Sequence, residues 1–326
     1  MSSASILEVR GLSKSYKTEP GLVDRVLDKV SGSPDALGVR ALDHIDLEVR
    51  RGEVLALVGE SGCGKSTLGR MAAFIERPSA GTVEFNGKPF GGKGSRPPVQ
   101  MVFQDSMAAL NPVMTLSEAI SEAPVVLGKI DRKSARDHAA ALLAEVGLDP
   151  ELQDRLPRQL SGGQRQRACI ARALAVDPEL LVCDESVSAL DVSVQAQVLN
   201  MFMRLREERQ LTYLFISHDL GVVRHISDRV AIMYLGRIVE LADTKSLFSD
   251  AAHPYTRALI AEIPRIRNGR KTFAAATGEV PSPLSPPSGC HFHPRCPLAI
   301  EKCRVEAPKL LPRSATQQVA CHVVQQ

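Results

Sequence analysis

The sequence predicts an α/β fold built around a largely parallel sheet, and three observations support this prediction. Short, continuous apolar runs at Val54–Val58, Leu180–Cys183 and Tyr213–Ile216 are typical of strands that are buried on both faces. The helical stretch Val194–Glu208 lies between the last two runs and predicts a strand–helix–strand unit. A glycine-rich segment, Gly59–Ser66, directly follows the first run.

The N-terminal part of the chain predicts short strands joined by polar turns and loops. Ile6–Arg10 alternates like an edge strand, and Asp46–Val49 predicts a further strand. Thr82–Phe85 predicts a short strand, which the hairpin signal Asn86-Gly87 follows. The segment 18–43 is polar and contains Gly and Pro, so we expect a long loop there.

The middle and the end of the chain differ in pattern. From Thr115 to about Ala175 the pattern is helical, whereas Arg229–Met233 and Arg237–Glu240 predict the two strands of a hairpin. After about Ser249 the composition changes, and Gly278–Gly289 is dense in Pro and Ser. This last stretch predicts a linker or an extended arm.

Composition narrows the classes of function. The 326 residues are 44% hydrophobic and 24% charged, as is common for soluble globular proteins. The net charge of +3 is too weak to predict a nucleic-acid partner. The N-terminus lacks the pattern of a signal peptide, and no apolar run has the length needed to span a bilayer. We therefore expect a cytosolic chain that reaches a membrane only through a partner.

The segment Gly59–Ser66 matches the Walker A pattern G-x-x-x-x-G-K-[ST] in full, between a strand and a helical run. Its glycines let backbone N–H groups converge on phosphate oxygens. Lys65 brings a positive charge to the β- and γ-phosphates, and the Ser66 hydroxyl is suited to Mg²⁺. The alternative is a chance glycine-rich turn. The candidate phosphate-binding residues are Ser61, Gly62, Cys63, Gly64, Lys65, Ser66 and Thr67.

Asp184 and Glu185 follow the apolar run Leu180–Cys183, so they lie at the end of a strand where such sheets bind ligands. Asp184 is suited to hold Mg²⁺ through water. Glu185 can act as the general base for a water in line with the γ-phosphate. The alternative is that both carboxylates only cap the following loop.

Three further residues are candidates for the same site. His218 follows the run Tyr213–Ile216 and can sense the γ-phosphate beside Glu185. Gln104 follows another short apolar run, and its amide can coordinate Mg²⁺. Tyr16 can stack on adenine. The alternatives are that Tyr16 is a surface tyrosine and that Gln104 is an ordinary loop glutamine.

The segment Leu160–Gln164 predicts a second anion site. A Ser and two Gly at the start of a helix offer free backbone N–H groups and the positive end of the helix dipole. Two phosphate sites on different surfaces indicate a nucleotide that is held between two molecules.

In combination and order, these motifs from Ile6 to Phe248 resemble an ABC-transporter ATPase subunit. The resemblance implies a P-loop NTPase with a RecA-like core, an antiparallel β-subdomain, a helical subdomain at about 106–178 and a C-terminal Cys-rich extension. It implies a head-to-tail dimer, with a coupling helix of a membrane subunit in a groove near Gln104. The residues implied to act in trans are Ser161, Gly162, Gly163, Gln164 and Asp191. Ser186 stands where many relatives have Pro, which changes the stiffness of this loop.

His253–Leu259 and Gly289–Pro297 resemble the signature of the oligopeptide/dipeptide importer ATPases. The resemblance divides the chain into an ATPase domain, 1–249, and an extension, 250–326. It implies a second, homologous but different ATPase subunit, two transmembrane permease subunits and an extracytoplasmic peptide-binding protein. The place of action is then the cytoplasmic face of the inner membrane, and the substrate is a peptide or, alternatively, a nickel chelate.

Four of the seven cysteines lie near the C-terminus and predict a metal site. Pro297 follows one of them, as Pro follows cluster-ligating Cys in ferredoxins, and four thiolates also suit zinc. The resemblance favours a [4Fe-4S] cluster over zinc, while four free cysteines are the remaining alternative. The expected ligands are Cys290, Cys296, Cys303 and Cys321, with His291, His293 and His322 as substitutes.

The leading hypothesis is therefore an importer ATPase that uses ATP and Mg²⁺. One competing hypothesis is a soluble ABC ATPase that acts on ribosomes or DNA. Such proteins usually carry two ATPase domains or a long coiled-coil insertion, and this sequence has neither. An exporter is a third hypothesis, but exporter ATPases are commonly fused to membrane-spanning helices, and the stretch His253–Leu259 also favours import.

Overall fold

Residues 4–17, 38–89, 97–263 and 278–325 are described by the computed structural model. The strands are β1 Ser5–Lys17, β2 Gly38–Arg50, β3 Val54–Val58, β4 Ala80–Phe85, β5 Lys88–Pro89, β6 Val99–Val102, β7 Leu180–Asp184, β8 Thr212–Ser217, β9 Arg229–Tyr234, β10 Arg237–Asp243, β11 Leu311–Ser314 and β12 Gln317–Val319. The α-helices are α1 Lys65–Ala72, α2 Ser106–Ala109, α3 Leu116–Val126, α4 Ala135–Glu145, α5 Gly162–Leu174, α6 Val192–Arg209, α7 Leu220–Ile226, α8 Thr244–Ser249, α9 Pro254–Ala261 and α10 Glu301–Val305.

The larger of two sheets forms the centre of the molecule. Among the described strands its order is β11-β12-β10-β9-β3-β8-β7-β6. Strand β3 lies between β8 and β9 and is parallel to both, and β7 and β6 extend the parallel side. Every residue of β3, β7 and β8 is buried, as expected of strands covered on both faces. The predicted parallel α/β core is therefore confirmed.

The smaller sheet is antiparallel, in the order β2-β1-β4-β5. Here the predicted loop 18–43 is wrong over 38–43, because these residues pair with β1 down to Lys17↔Gly38, and Leu42 is fully buried. Their partner strand completes the hydrogen bonds, which the local pattern does not show. Residues 18–37 lie outside the described part. The predicted hairpin turn is confirmed, since Asn86 and Gly87 both have positive φ between β4 and β5.

The predicted helical region is confirmed as a layer of helices between β6 and β7. Helix α3 begins with a capping box in which the Thr115 hydroxyl accepts from the Glu118 N–H, and the Glu118 carboxylate accepts from the Thr115 N–H. Helices α3, α4 and α5 pack around a buried cluster that includes Ile120, Leu143 and Ile170. This layer positions the start of α5.

The C-terminal segment extends the central sheet. Strands β9 and β10 form the predicted hairpin, and β12 pairs with β10 from Glu240↔Val319 to Ala242↔Gln317. Strand β11 then pairs with β12. The proposed division of the chain at 249/250 stays a prediction. Among the described helices, none combines the length and apolar character that crossing a membrane requires.

Candidate nucleotide site

The phosphate loop connects the buried strand β3 to the start of α1. Gly64 precedes the helix with a φ of 107°, a left-handed conformation that favours glycine. A Cβ at Gly64 would lie 2.4 Å from the Ala41 carbonyl oxygen, so the loop also lacks room for a side chain there. Ser61 and Gly62 are exposed. The loop is therefore open to a ligand at the N-terminus of α1, where backbone N–H groups and the helix dipole favour an anion.

Lys65 is the cation of this loop, and its side chain is only 5% exposed. Its ammonium donates to the carbonyl oxygens of Gly59 at 2.7 Å and Glu60 at 3.0 Å. It also lies 4.0 Å from Oε1 of Glu185. Since its hydrogen-bond partners within the loop are neutral carbonyls, a phosphate oxygen is a stronger partner for this cation.

Ser66 and Asp184 bring oxygen donors together across the site. The Ser66 hydroxyl donates to Oδ1 of Asp184 at 3.0 Å. Burial raises the pKa of Asp184, and the neighbouring Glu185 raises it further, whereas Ser66, Arg70 and Lys65 oppose the rise. A hydroxyl and a carboxylate are the hard oxygen ligands that Mg²⁺ prefers, so this donor set fits the predicted metal.

Glu185 lies where three predicted side chains meet. Nε2 of Gln104 donates to Oε2 of Glu185 at 2.8 Å. Nδ1 of His218 is 3.4 Å from Oε1 of Glu185, and Lys65 is the third neighbour. The strands β6, β7 and β8 end at the same edge of the sheet, which explains why residues far apart in sequence converge. The structure therefore brings together the phosphate loop, the acidic pair and both candidate sensors.

Tyr16 lies on β1 beside α1 and is 36% exposed. Its hydroxyl donates to Oε2 of Glu76 at 2.8 Å, and the Lys14 ammonium lies 5.1 Å from its ring centroid. Burial and the Glu76 carboxylate raise the pKa of Tyr16, and an interaction with the Thr67 hydroxyl partly offsets this rise. Tyr16 thus neighbours the end of the phosphate loop, and its contact with adenine stays a prediction.

The segment Leu160–Gln164 occupies the start of another helix, α5. Ser161 caps this helix: its Oγ accepts from the Gln164 N–H at 3.3 Å, and Oε1 of Gln164 accepts from the Ser161 N–H at 2.9 Å. Ser161 and Gly162 are exposed, whereas Leu160 is buried. The motif therefore presents a capped helix N-terminus to solvent.

Asp191 lies beside this surface. It precedes α6, and its side chain makes no hydrogen bond to the start of that helix. A Cβ on Gly163 would lie 2.6 Å from Cγ1 of Val194, so the first turns of α5 and α6 are in close contact. The structure thus brings the starts of the two helices that carry the five residues predicted to act in trans close together, and their action in trans stays a prediction.

Cys63 is buried within the phosphate loop, and burial raises the pKa of its thiol. A protonated, covered thiol is a poor nucleophile, so the geometry favours a small filler at this position. The Cys63 carbonyl accepts from the Gly236 N–H at 2.9 Å, which links the loop to the β9–β10 hairpin.

The predicted metal site in the C-terminal extension is wrong. Across residues 4–17, 38–89, 97–263 and 278–325, no three His, Cys, Asp or Glu side chains are placed to hold a metal ion. The proposed ligands Cys290, Cys296, Cys303 and Cys321 are free thiols, so neither the [4Fe-4S] cluster nor zinc is supported.

The surroundings of these residues give the physical reason. Burial raises the pKa of Cys290 to about 11 and also raises that of Cys296, as expected of thiols packed among apolar neighbours. The substitute ligands are engaged with carbonyl oxygens: His291 with that of Leu235, His293 with that of Cys290 and His322 with that of Glu306.

One residue of the site was not predicted to have a role of its own. Glu60 holds a variable position of the Walker motif, but its carboxylate pairs with Arg295, 235 positions later in the chain. A charged residue in a phosphate loop was the only signal in the sequence. The partner could not be found, because pairing over this distance depends on the tertiary fold.

Comparisons with known proteins agree with this geometry. Residues 42–188 match the family described as ABC transporter, and residues 239–303 match that described as oligopeptide/dipeptide transporter, C-terminal region. A probable peptide ABC transporter ATP-binding protein of Sinorhizobium fredii is 46% identical, over 98% of this chain and 90% of the relative. The dipeptide transport ATP-binding protein DppF of Haemophilus influenzae is 44% identical, over 97% of this chain and 96% of the relative.

Solved structures share the fold. The ATP-binding cassette MJ0796, solved as a dimer bound to ADP and Pi, matches with a TM-score of 0.62 and 25% identity, over 73% of this chain and 98% of that one. CbiO1 of Clostridium perfringens, part of an ABC transporter complex, matches with a TM-score of 0.62 and 27% identity, over 76% of this chain and 91% of that one.

The fold and the site define an ATPase of the P-loop class, for which ATP and Mg²⁺ are the expected cofactors. The phosphate loop, the acidic pair and the Leu-Ser-Gly-Gly-Gln helix narrow that class to the ABC type. The chain belongs to the ATP-binding proteins of ABC transporters, and its C-terminal part belongs to the oligopeptide/dipeptide transporter family. These relatives give no support to the hypothesis of a soluble ATPase on ribosomes or DNA.

Proposed function

We propose that this chain hydrolyses ATP at a head-to-tail interface with a second ATPase subunit and thereby drives uptake of oligopeptides or dipeptides. One observation carries the proposal. The chain holds two different half-sites: the phosphate loop with Glu185 at one edge of the central sheet, and the exposed Ser161–Gly162 helix start on α5. The phosphate loop of one chain and the helix start of a second chain would together surround one nucleotide, so two chains complete a site.

The first half-site binds and orients the nucleotide. The loop N–H groups and Lys65 bind phosphate oxygens. Ser66, Asp184 and Gln104 are the residues that would hold Mg²⁺, which neutralises phosphate charge when bound. Burial and the neighbouring Glu185 raise the pKa of Asp184, and a bound Mg²⁺ would favour its ionised form.

Glu185 then activates the attacking water. Its carboxylate accepts the proton of the water in the transition state, and His218, 3.4 Å away, holds that carboxylate in place. Gln104 now occupies Oε2 of Glu185 with its amide N–H. Rotation of Gln104 toward the metal would free this oxygen for the water.

Two lines of support concern the substrate and the partners. The relatives named above are peptide and dipeptide transport proteins, and the C-terminal match belongs to the same group. Importers of this type take their substrate from an extracytoplasmic binding protein through two permease subunits. We therefore place this chain on the cytoplasmic face of the inner membrane, bound to the permeases. A nickel chelate is the alternative substrate.

The Glu185→Gln variant tests the catalytic assignment. The amide keeps the size of the side chain but loses the base, so hydrolysis should fall by about 10²-fold or more while ATP binding persists. Steady-state phosphate release and equilibrium binding of ATP measure the two effects. Glu179→Gln, on an exposed ion pair with Arg51, is the matched control and should hydrolyse ATP at the normal rate. Normal hydrolysis by the Glu185→Gln variant would refute the assignment.

Uptake assays test the substrate. A strain that lacks this chain should regain import of a labelled tripeptide when it expresses the wild-type chain, but not when it expresses Glu185→Gln. If the wild-type chain restores uptake of nickel but not of the tripeptide, the substrate is a nickel chelate and not a peptide.

A further inference from the structure

The C-terminal extension reaches back to the phosphate loop. Val280 and Pro283 of the extension and Ser61–Cys63 of the loop line one small pocket. Two side chains from after residue 250, Tyr255 and Arg295, contact Glu60 directly. The four residues of the extension in these contacts, Val280, Pro283, Tyr255 and Arg295, lie outside the ATPase motifs described above.

Arg295 forms a two-point ion pair with Glu60. Its Nη1 lies 2.9 Å from Oε2 and its Nη2 lies 3.0 Å from Oε1, so the planar guanidinium faces the planar carboxylate. The Arg295 side chain is 5% exposed and that of Glu60 is 25% exposed, so water screens the pair only weakly. The guanidinium also stands over the rings of Tyr234 and Phe292, at 5.8 and 5.9 Å from their centroids.

Tyr255 contacts the backbone of the same residue. Its hydroxyl oxygen accepts from the Glu60 N–H at 3.0 Å. The Tyr255 ring packs against Tyr234 and Phe292, with centroids 4.7 and 5.4 Å apart, and all three rings are buried. A tyrosine held in such an aromatic cluster has little rotamer freedom, so it fixes the position of the peptide group it contacts.

Ligand binding changes the balance of forces on Glu60. The Glu60 carbonyl accepts from the Lys65 ammonium at 3.0 Å and from the Cys63 N–H at 3.3 Å. When Lys65 turns to a phosphate, the carbonyl loses its charged donor. The contacts with Arg295 and Tyr255 use the Glu60 carboxylate and N–H instead of its carbonyl, so they remain to hold the loop.

We propose that the C-terminal extension forms part of the ATP site, with Arg295 and Tyr255 as positioning residues that hold the phosphate loop through Glu60. The proposal rests on the nucleotide-binding role assigned to this loop under the proposed function. The ion pair between Arg295 and Glu60 also has an electrostatic effect on nucleotide binding. A free Glu60 carboxylate beside the loop repels a polyphosphate, and Arg295 neutralises that charge.

Equilibrium binding of a fluorescent methylanthraniloyl-ATP with Mg²⁺ to the full chain tests this role. Arg295→Ala should weaken binding by roughly five- to thirtyfold, since it frees the loop and leaves the Glu60 carboxylate unpaired. Adding Glu60→Gln to Arg295→Ala should recover a large part of the loss, because it removes the repelling charge. Tyr255→Phe should weaken binding by about threefold, because it removes only the acceptor of the Glu60 N–H.

Matched controls separate positioning from general stability. Arg313 pairs with Asp250 at 2.7 Å, and this pair joins parts of the same extension away from the loop. Arg313→Ala should leave the dissociation constant within about twofold of wild type. If Arg295→Ala fails to fold, Tyr255→Phe and Arg295→Lys, which keeps the charge but loses the two-point geometry, carry the test.

Two results would overturn the proposal: wild-type affinity in folded Arg295→Ala and Tyr255→Phe, or equal losses in Arg295→Ala and Arg313→Ala. The Lys65→Ala variant tells this failure apart from failure of the site itself. Lys65→Ala should abolish binding. If it binds normally, the phosphate-loop assignment falls and the inference falls with it; if it does not bind and Arg295→Ala is normal, only the inference falls.

Discussion

Glu185 has a backbone φ of 44°, in the left-handed region that residues other than glycine rarely adopt. Such a conformation costs on the order of 1–3 kcal/mol and persists only where surrounding contacts hold it. The Glu185 N–H donates to the Ile216 carbonyl at 3.0 Å, which ties this backbone to the neighbouring strand β8. In this conformation the Glu185 side chain contacts Gln104 and His218.

The residues of the first half-site were predictable because each is tied to a strand end or a spaced motif. Lys65, Ser66 and Asp184 follow buried strands, and the sequence shows both the apolar runs and the polar residues that end them. Glu60 had no such signal for its partner. Likewise, Cys290 and its neighbours look like a ligand set in sequence, but ligation depends on side-chain placement and thiol ionisation.

His253 gives the chain a pH-dependent stability. It is fully buried, its Nδ1 accepts from the Tyr255 N–H at 3.1 Å, and burial lowers its pKa to about 3. Below about pH 6.5 the unfolded chain binds a proton at His253 that the folded chain excludes. The free energy of unfolding should therefore fall by up to about 1.4 kcal/mol per pH unit below that value, and this contribution is complete above it.

His253→Asn keeps a helix-capping side chain but does not titrate, so the stability of this variant should depend less on pH between about 7.5 and 5. Denaturant unfolding at the two pH values measures the change. The exposed His225 is the matched control, and His225→Asn should follow wild type. An unchanged pH slope in the His253→Asn variant would show that another group is responsible.

At the scale of elements, the sequence predicts where α5 begins, but it does not predict that α5 contacts α6. The sequence Ser161-Gly162-Gly163-Gln164 predicts a capped helix N-terminus, and the capping box confirms it. The contact of Gly163 with Val194 on α6 requires the packed helical layer. Similarly, residues 38–43 belong to β2 because they pair with β1. The polar local sequence did not predict this long-range pairing.

Gly162→Asp tests the second half-site. Outside its chain neighbours and the backbone of its own helix, a Cβ at Gly162 would meet only Nη2 of Arg165, at 4.0 Å, so the position has room for a side chain. Asp in the first turn also suits the helix dipole, so the variant should fold normally. A carboxylate there repels the γ-phosphate of a partner. ATP binding by the isolated chain should be unchanged, while ATP-dependent pairing and hydrolysis should fall by about tenfold or more.

Size-exclusion chromatography with ATP and Mg²⁺, together with phosphate release by the assembled ATPase pair, measures this effect. Gly162→Ala is the matched variant, because it adds the Cβ without the charge. Normal pairing by Gly162→Asp would contradict a role for α5 at the interface.

For the whole molecule, Glu240 joins the ATPase core to the extension. Its side chain is fully buried and accepts from the N–H groups of Ala252 and His253, both at 2.8 Å, and from Nε2 of Gln317 at 2.7 Å. The three donors belong to the segment that leads into α9 and to strand β12. One carboxylate therefore fastens two parts of the C-terminal region to β10.

Glu240→Ala should lower the free energy of unfolding by about 3 kcal/mol, because three buried donors lose their acceptor. It should also speed proteolytic release of the segment after residue 250. Glu306→Ala, in an exposed pair with Lys302, is the control and should cost less than about 1 kcal/mol. Denaturant unfolding and limited proteolysis make the comparison, and equal stability of the two variants would argue against this fastening role.

By itself, the sequence determined the strand ends, the phosphate loop, the acidic pair and the capped start of α5. These features depend on neighbouring residues, periodicity and turn chemistry, which a linear pattern records. Only the tertiary structure decided that, among the described residues, the C-terminal cysteines are not grouped as a metal site, and that Arg295 and Tyr255 contact Glu60. Those outcomes depend on distances between side chains, about 200 positions apart in the case of Glu60, and the packing of the chain sets these distances.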